Sequence, residues 1–315
     1  MKRKVNLVGP ATLTISLPSD WVKKQKIRKG DELDIEEKGN NLIISNKCAV
    51  SDKVINISIP LISEKYCREK ITKLYREGYS TINISYEDPR VLIRVKSIVE
   101  NLIGADIIEV GLHSCRIKIF NTAELEMDIK KQIKKIILVI KQMLILLEED
   151  LTHNSKKNFE NINNFRYDVL RMKDFILRNA QQNGVDYTTF SNLTYVLYSF
   201  EKISRQILFY CKRLRDSHIR IKNAEILKPY FDQLLNMLDW FLQYRHQKDS
   251  VIKDEAALKS NITKFCINAF AISNSVNKID HAFMMLGYYI ADQLDGATSY
   301  FSSIFYPEQP NDKRM

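Results

Sequence analysis

Two kinds of side chain in this sequence have types and spacings that could do chemistry. The first kind is cationic. Lys2, Arg3, Lys4, Lys23, Lys24, Lys26, Arg28 and Lys29 fall within residues 1–30, against Asp20 alone. Such a density suits a polyanion: lysines give salt-sensitive contacts to phosphates, and a guanidinium can make two-pronged hydrogen bonds to a base edge. Lys2, Arg3, Lys4, Lys23 and Lys24 are expected to hold phosphates, with Arg28 and Lys29 at the rim. Arg3 is the residue best suited to reach a base. The second kind is carboxylate. Glu201, Asp292 and Asp295 lie in helical stretches. Two acids four residues apart on a helix can share a hard cation. The position four after Glu201 is Arg205, however. That spacing predicts an ordinary ion pair on one helix face in place of a metal site.

No other pattern marks a reaction centre. The chain lacks HExxH, GxSxG, phosphate-loop and dinucleotide signatures. His113, His153, His218, His246 and His281 are scattered. The five cysteines form no CxxC pair, so neither a zinc site nor a disulfide framework is indicated. They read as small apolar residues in a reducing compartment. No enzymatic activity, no cofactor and no metal is expected. The longest apolar stretch, Ile136 to Leu147, is broken by Lys141-Gln142 and too short to span a bilayer. No apolar run follows the basic start as it would in a signal peptide. A soluble, cytoplasmic protein without membrane insertion is the expectation.

The elements that position these groups follow from patterning. The chain has 315 residues, 45% of them hydrophobic, and a net charge of +10. The first forty-five hold the strand Leu13 to Leu17, Pro18, a basic turn of helix at Trp21 to Lys24, a Lys29-Gly30-Asp31 turn, and a hairpin turn at Gly39-Asn40-Asn41. So small a β unit cannot bury a core alone. It should fold by joining a second copy, giving a dimer or a higher even-numbered oligomer whose cations form one patch. Residues 52–120 read as a small β-α-β-α-β-β unit, with Ser63 and Asp88 as helix caps and Gly78 and Gly104 as helix ends. Residues 121–315 read as about six long helices with short connections, hence antiparallel bundles. Asn121 and Glu124 are the expected capping box of the first. The others are expected from Ser155 to Gln182, Asp186 to Arg215, Lys222 or Pro229 to Gln247, Ser250 to Lys278 and Asp280 to Phe305. The fold class is multidomain α+β.

Residues 1–47 resemble the AbrB/SpoVT swapped-hairpin family. The matching pieces are Arg3-Lys4-Val5, Thr14 to Leu17 running into Pro18, Trp21 to Lys24, and Lys29-Gly30-Asp31-Glu32-Leu33. The likeness is closest to the archaeal form, which has a tryptophan after the Leu-Pro. Lys26 stands where the family often has glycine, and Thr14 where many members carry arginine. The resemblance implies that two chains interleave their hairpins into one DNA-binding β-barrel, with residues 1–48 as the DNA-binding and dimerisation domain.

Residues 64–305 look like the PhoU family, and specifically its archaeal members with an AbrB-like domain in front. Tyr75-Arg76-Glu77-Gly78-Tyr79, the segment Val99 to Ala105, Arg171 with Phe175-Ile176-Leu177-Arg178, and the segment Leu197 to Ile203 carry this likeness. It implies two stacked three-helix bundles. In that family acidic motifs bind metal clusters, and only through this likeness are Glu201, Asp292 and Asp295 candidates for a metal; here Arg205 and Leu170 stand where acids are expected. Two functions are implied. One is a transcriptional regulator of phosphate uptake that binds double-stranded DNA and has a helical sensor or partner module. The other is an adaptor that does not bind DNA and restrains a phosphate transporter or sensor kinase, its first domain serving only to dimerise.

Overall fold

The computed structural model describes residues 3–10, 12–38, 41–45, 53–61, 63–120, 128–153, 155–216, 227–243, 256–265 and 278–305. By its contacts the chain divides into two units, one ending at Lys53 and one beginning at Val54. The first unit holds β1 (Val5–Val8), β2 (Thr12–Ile15), α1 (Ser19–Gln25), β3 (Asp34–Lys38) and β4 (Asn41–Ser45). The strands form two separate antiparallel hairpins, with Val5 opposite Ile15 and Asp34 opposite Ser45. Part of the expected Gly39-Asn40-Asn41 turn lies outside the described residues.

The second unit begins with β5 (Val54–Ser58), α2 (Glu64–Arg76), β6 (Thr81–Ser85), α3 (Arg90–Val99), β7 (Ala105–Val110) and β8 (Ser114–Ile119). This is the β-α-β-α-β-β order read from the sequence. The sheet runs β5-β6-β8-β7; β5 and β6 are parallel and the other pairs antiparallel. Alternation sends Ile82, Ile84, Cys115, Ile117 and Ile119 to one face. There they bury against Cys67, Ile71 and Tyr75 of α2 and Val91, Val95 and Ile98 of α3. The Ser63 hydroxyl accepts from the Tyr66 N–H at 3.3 Å, and the Asp88 carboxylate from the Arg90 N–H at 2.8 Å, so both expected caps form. Gly78 follows α2 at φ +85°, a conformation that costs a side-chain-bearing residue about 1 kcal/mol.

The helices are α4 (Ile129–Thr152), α5 (Phe159–Gln182), α6 (Tyr187–Asp216), α7 (Lys228–Gln243), α8 (256–265) and α9 (Lys278–Phe305). α4, α5 and α6 pack on one another, α7 lies on α4, and α9 on α6 and α7. Their apolar faces merge into one continuous cluster, in which Phe241 meets Phe200 and Phe301 edge to face. None of the described helices is long and apolar enough to cross a membrane. The cap at the start of α4 is Asp128, which accepts from the N–H groups of Lys130 and Lys131; Asn121 and Glu124 lie outside the described residues. α5 starts at Phe159, four residues later than expected, because Asp150 draws the preceding loop back onto α4. The Ser155 N–H donates to the Asp150 carbonyl at 2.8 Å, and the Asn158 N–H to its carboxylate at 3.2 Å.

Sheet and helices meet along a polar seam between α2 and α5. Arg178, almost fully buried, donates to the carbonyls of Tyr75 at 2.6 Å and Tyr79 at 2.9 Å, and its guanidinium lies 4.9 Å from the Tyr75 ring centre. The Tyr75 carbonyl belongs to the last turn of α2, where the helix dipole favours a cation, and that of Tyr79 to the turn that follows. The Tyr75 hydroxyl donates to the Ile103 carbonyl at 2.8 Å. Replacing Arg178 by Ala would strand one buried and one half-buried carbonyl and remove a charged donor, so Arg178→Ala is expected to lower unfolding free energy by about 3–5 kcal/mol. Urea denaturation of the full chain, read by helical circular dichroism, checks this. A loss below about 1 kcal/mol would place the seam among solvated contacts.

Candidate nucleic-acid interface

The first unit is built to expose what most folds hide. Of its described residues none is buried. Val5, Leu7, Val8, Leu13, Ile15, Ile35 and Leu42 are between 53% and 69% exposed, while Trp21, Val22, Ile27 and Leu33 are half-buried. Covering an aliphatic side chain is worth about 1.5–3 kcal/mol. Roughly 10 kcal/mol of apolar stabilisation is therefore unrealised in a single chain, of the same order as the whole stability of an ordinary domain.

The cations sit on the edges of this scaffold. Arg3 and Lys4 precede β1 and are exposed. Lys23 is exposed on α1; Lys24 is in the same helix, but its side chain lies outside the described residues, as does Lys2. α1 starts directly after Pro18 and carries Asp20 in its first turn. It closes at Lys26, whose N–H bonds the Lys23 carbonyl at 3.1 Å, while the Ile27 N–H reaches the Val22 carbonyl at 3.0 Å. This is the two-bond helix ending that normally calls for glycine. Lys26 holds it at φ 56°, the one positive φ outside glycine among the described residues. The chain then turns through Arg28-Lys29-Gly30-Asp31. The Arg28 N–H donates to the Asp31 carboxylate at 2.7 Å and the Asp31 N–H to the Arg28 carbonyl at 3.1 Å, with Gly30 at φ +98°. Arg28 and Lys29 are thereby held exposed on a fixed turn. Asp31 was not among the residues singled out from the sequence. Its signal was the Lys-Gly-Asp turn itself.

The carboxylates fare differently from expectation. Glu201 pairs with Arg166 of α5, across the helix interface, and not with Arg205 on its own helix. Both partners are about 10% exposed. Arg166 reaches that position because α5 and α6 pack closely there, and the buried site favours a charge-assisted pair over a solvated one. Asp292 and Asp295 are exposed on α9. Among the described residues no three His, Cys, Asp or Glu side chains gather as a metal site would require. A second buried acid, Asp174, lies near Lys173 at 3.5 Å and Arg76 at 3.8 Å. Burial pushes its carboxyl above the usual range, against the pull of those cations. Arg166, Lys173, Asp174 and Arg178 were not read as a buried polar seam from the sequence. Charged residues on an amphipathic helix normally read as its solvated face.

The family described as antidote-toxin recognition MazE, bacterial antitoxin, matches residues 8–47. No curated protein matches the chain. The match spans α1 and both hairpin turns, so the first unit is similar to the MazE/AbrB class of small β domain. Lys26→Gly removes the strained backbone and is expected to stabilise the first unit by about 1 kcal/mol. A rise of a few degrees in the midpoint of thermal unfolding, followed by Trp21 fluorescence against a Trp240→Phe background, would show it. A fall would mean that the Lys26 side chain makes a stabilising contact.

Proposed function

We propose that the chain is a dimeric, DNA-binding transcriptional regulator. The first units of two chains interleave their hairpins into one barrel, and the helical part of each acts as a sensor or partner-binding module. The observation that carries this reading is that no described residue of the first unit is fully buried, joined to the run of cations within residues 1–30. A second copy supplies the missing core, and the same event doubles the cationic surface. The match to the MazE family over residues 8–47 supports it. In this reading Lys2, Arg3, Lys4, Lys23 and Lys24 hold phosphates, Arg28 and Lys29 flank them, and Arg3 reaches a base edge. No catalysis and no cofactor is involved, and the protein acts in the cytoplasm. The motif resemblance of residues 64–305 to PhoU proteins supports phosphate uptake as the process regulated, with a phosphate-transport or signalling protein as partner. A second reading, an antitoxin-type regulator whose partner is a toxin, is favoured by the description of the matched family.

Two measurements separate DNA binding from dimerisation alone. Lys23→Ala with Lys24→Ala should weaken binding to all duplexes alike and flatten the slope of log affinity against log salt by about two units. Fluorescence anisotropy at several salt concentrations reads both, and unchanged affinity and slope would remove these side chains from the interface. Leu13→Asp tests the shared core. A side chain 69% exposed in a lone chain should tolerate a charge within about 0.5 kcal/mol. At the centre of an interleaved barrel the same change should abolish duplex binding. Retained binding would sink the barrel.

A further inference from the structure

The open face of the four-stranded sheet carries an ordered row of polar side chains, one from each strand. Asn56 lies opposite Asn83, Asn83 opposite Arg116, and Arg116 opposite Glu109. The row is hydrogen-bonded throughout. The Asn83 amide donates to Asn56 Oδ1 at 2.7 Å, Arg116 Nε donates to Asn83 Oδ1 at 2.9 Å, and Arg116 Nη1 meets Glu109 at 2.6 Å. At β7 it ends on a carboxylate. At β5 it ends on Asn56, which accepts from Asn83 and whose own amide N–H groups donate to no described residue.

The two edges of this sheet are unlike. β7 is blunted in the ways that protect a free edge: a register shift between Ile107 and Glu109, and carboxylates at Asp106 and Glu109. β5, reading Val54-Ile55-Asn56-Ile57-Ser58, has no charge, no proline and no bulge, and pairs with β6 in unbroken register. An uncharged, regular, β-branched edge offers unpaired backbone groups to another strand. On its open-face side it shows Val54, 55% exposed, with Asn56 and Ser58.

We infer that β5 is an interface for a second copy of this chain: two β5 strands pair antiparallel about a two-fold axis through Asn56 and join two sheets into one of eight strands. The occupant follows from self-complementarity. An isologous contact places a residue against itself, and asparagine, which both donates and accepts, can face its own copy where Asp, Glu, Lys or Arg would repel. The polar row then runs unbroken from Glu109 to the partner's Glu109. Val54 gains cover from the partner's Ser58. Eight residues separate Ser45 from Val54, a tether of at most about 30 Å. Two first units joined as proposed above would hold the β5 strands at roughly millimolar effective concentration; this last argument alone rests on that reading.

Cysteine cross-linking of the full chain tests the pairing. Cys48 and Cys266 are first replaced by Ser; Cys67, Cys115 and Cys211 are buried. Asn56→Cys is compared with Glu109→Cys, on the opposite edge strand, under mild copper-phenanthroline oxidation with sedimentation run in parallel. Antiparallel neighbours on a two-fold axis have Cα atoms about 4.5–5.5 Å apart, within disulfide reach. Asn56→Cys is expected to form covalent dimer about tenfold or more faster than Glu109→Cys. Equal rates at both positions, or no cross-link at Asn56→Cys in a chain that sediments as a dimer, would overturn the β5 pairing and leave the first-unit dimer standing. A monomer at micromolar concentration would overturn both.

Discussion

The first forty-five residues leave their own apolar side chains uncovered, and the proposed assembly depends on that constraint. In the first unit two short hairpins and a seven-residue helix present valine, leucine and isoleucine to solvent. A two-stranded hairpin is marginal by itself. Two unjoined ones in one chain gain stability only from something laid across them. The second unit is under no such constraint. Its sheet has a helix-covered face and its helices share one continuous core. The protein thus combines a part that leaves its apolar side chains uncovered with a part that buries them, and under the proposed reading association would show first in the former.

The second unit depends on a different interaction. Arg178 reads the end of α2 through two carbonyls, and Tyr75 passes the contact to the turn before β7. Near it, Arg76 and Lys173 flank both Asp174 and the Tyr198 ring. These are buried charges with specific partners, so the sheet cannot slide along α5 without leaving ions uncompensated. Burial raises the Asp174 pKa and lowers that of Arg178, the direction expected when a charged group gives up solvation. Apolar packing alone would allow many registers between a sheet layer and a helix. A guanidinium clasping two carbonyls allows one.

Much of this was legible in the sequence because it was local. Strands, turns and caps from Val54 to Ile119 follow from alternation, Ser63, Asp88, Gly78 and Gly104, each acting within a few residues of itself. The helices were legible from their apolar period. What escaped was set by contacts distant along the chain. Asp150 delays the start of α5 by binding a backbone N–H eight residues on. Glu201 chooses Arg166, thirty-five positions earlier, over Arg205 four positions later, since only helix packing decides which cation is buried beside it. In the candidate interface the residue types were readable but their support was not. The sequence placed Lys26 where the family often has glycine and marked the Lys29-Gly30-Asp31 turn, but that Lys26 keeps the left-handed conformation and that the Asp31 carboxylate accepts from the Arg28 N–H are facts of backbone geometry.

The arrangement of charge matters more for the proposed function than its total. Residues 1–45 hold nine Lys and Arg against six Asp and Glu, so the first unit is only modestly basic and non-specific attraction to DNA would be weak if its charges were mixed. They are segregated. All but one of the cations precede Gly30 and all but one of the anions follow it. Screening at physiological salt has a length of about 8 Å, so a carboxylate on β3 cancels a lysine only where the two come that close. Asp31 has a second task besides its charge: its carboxylate accepts from the Arg28 N–H and pins the turn that carries two of the cations. Association of two first units would concentrate the cationic segment while Asp34, Glu36 and Glu37 stay on the hairpin that follows. The acids then act against the wrong geometry. In the proposed reading a polyanion approaching the acidic hairpin would meet repulsion, so orientation on a duplex would be set before any base is read.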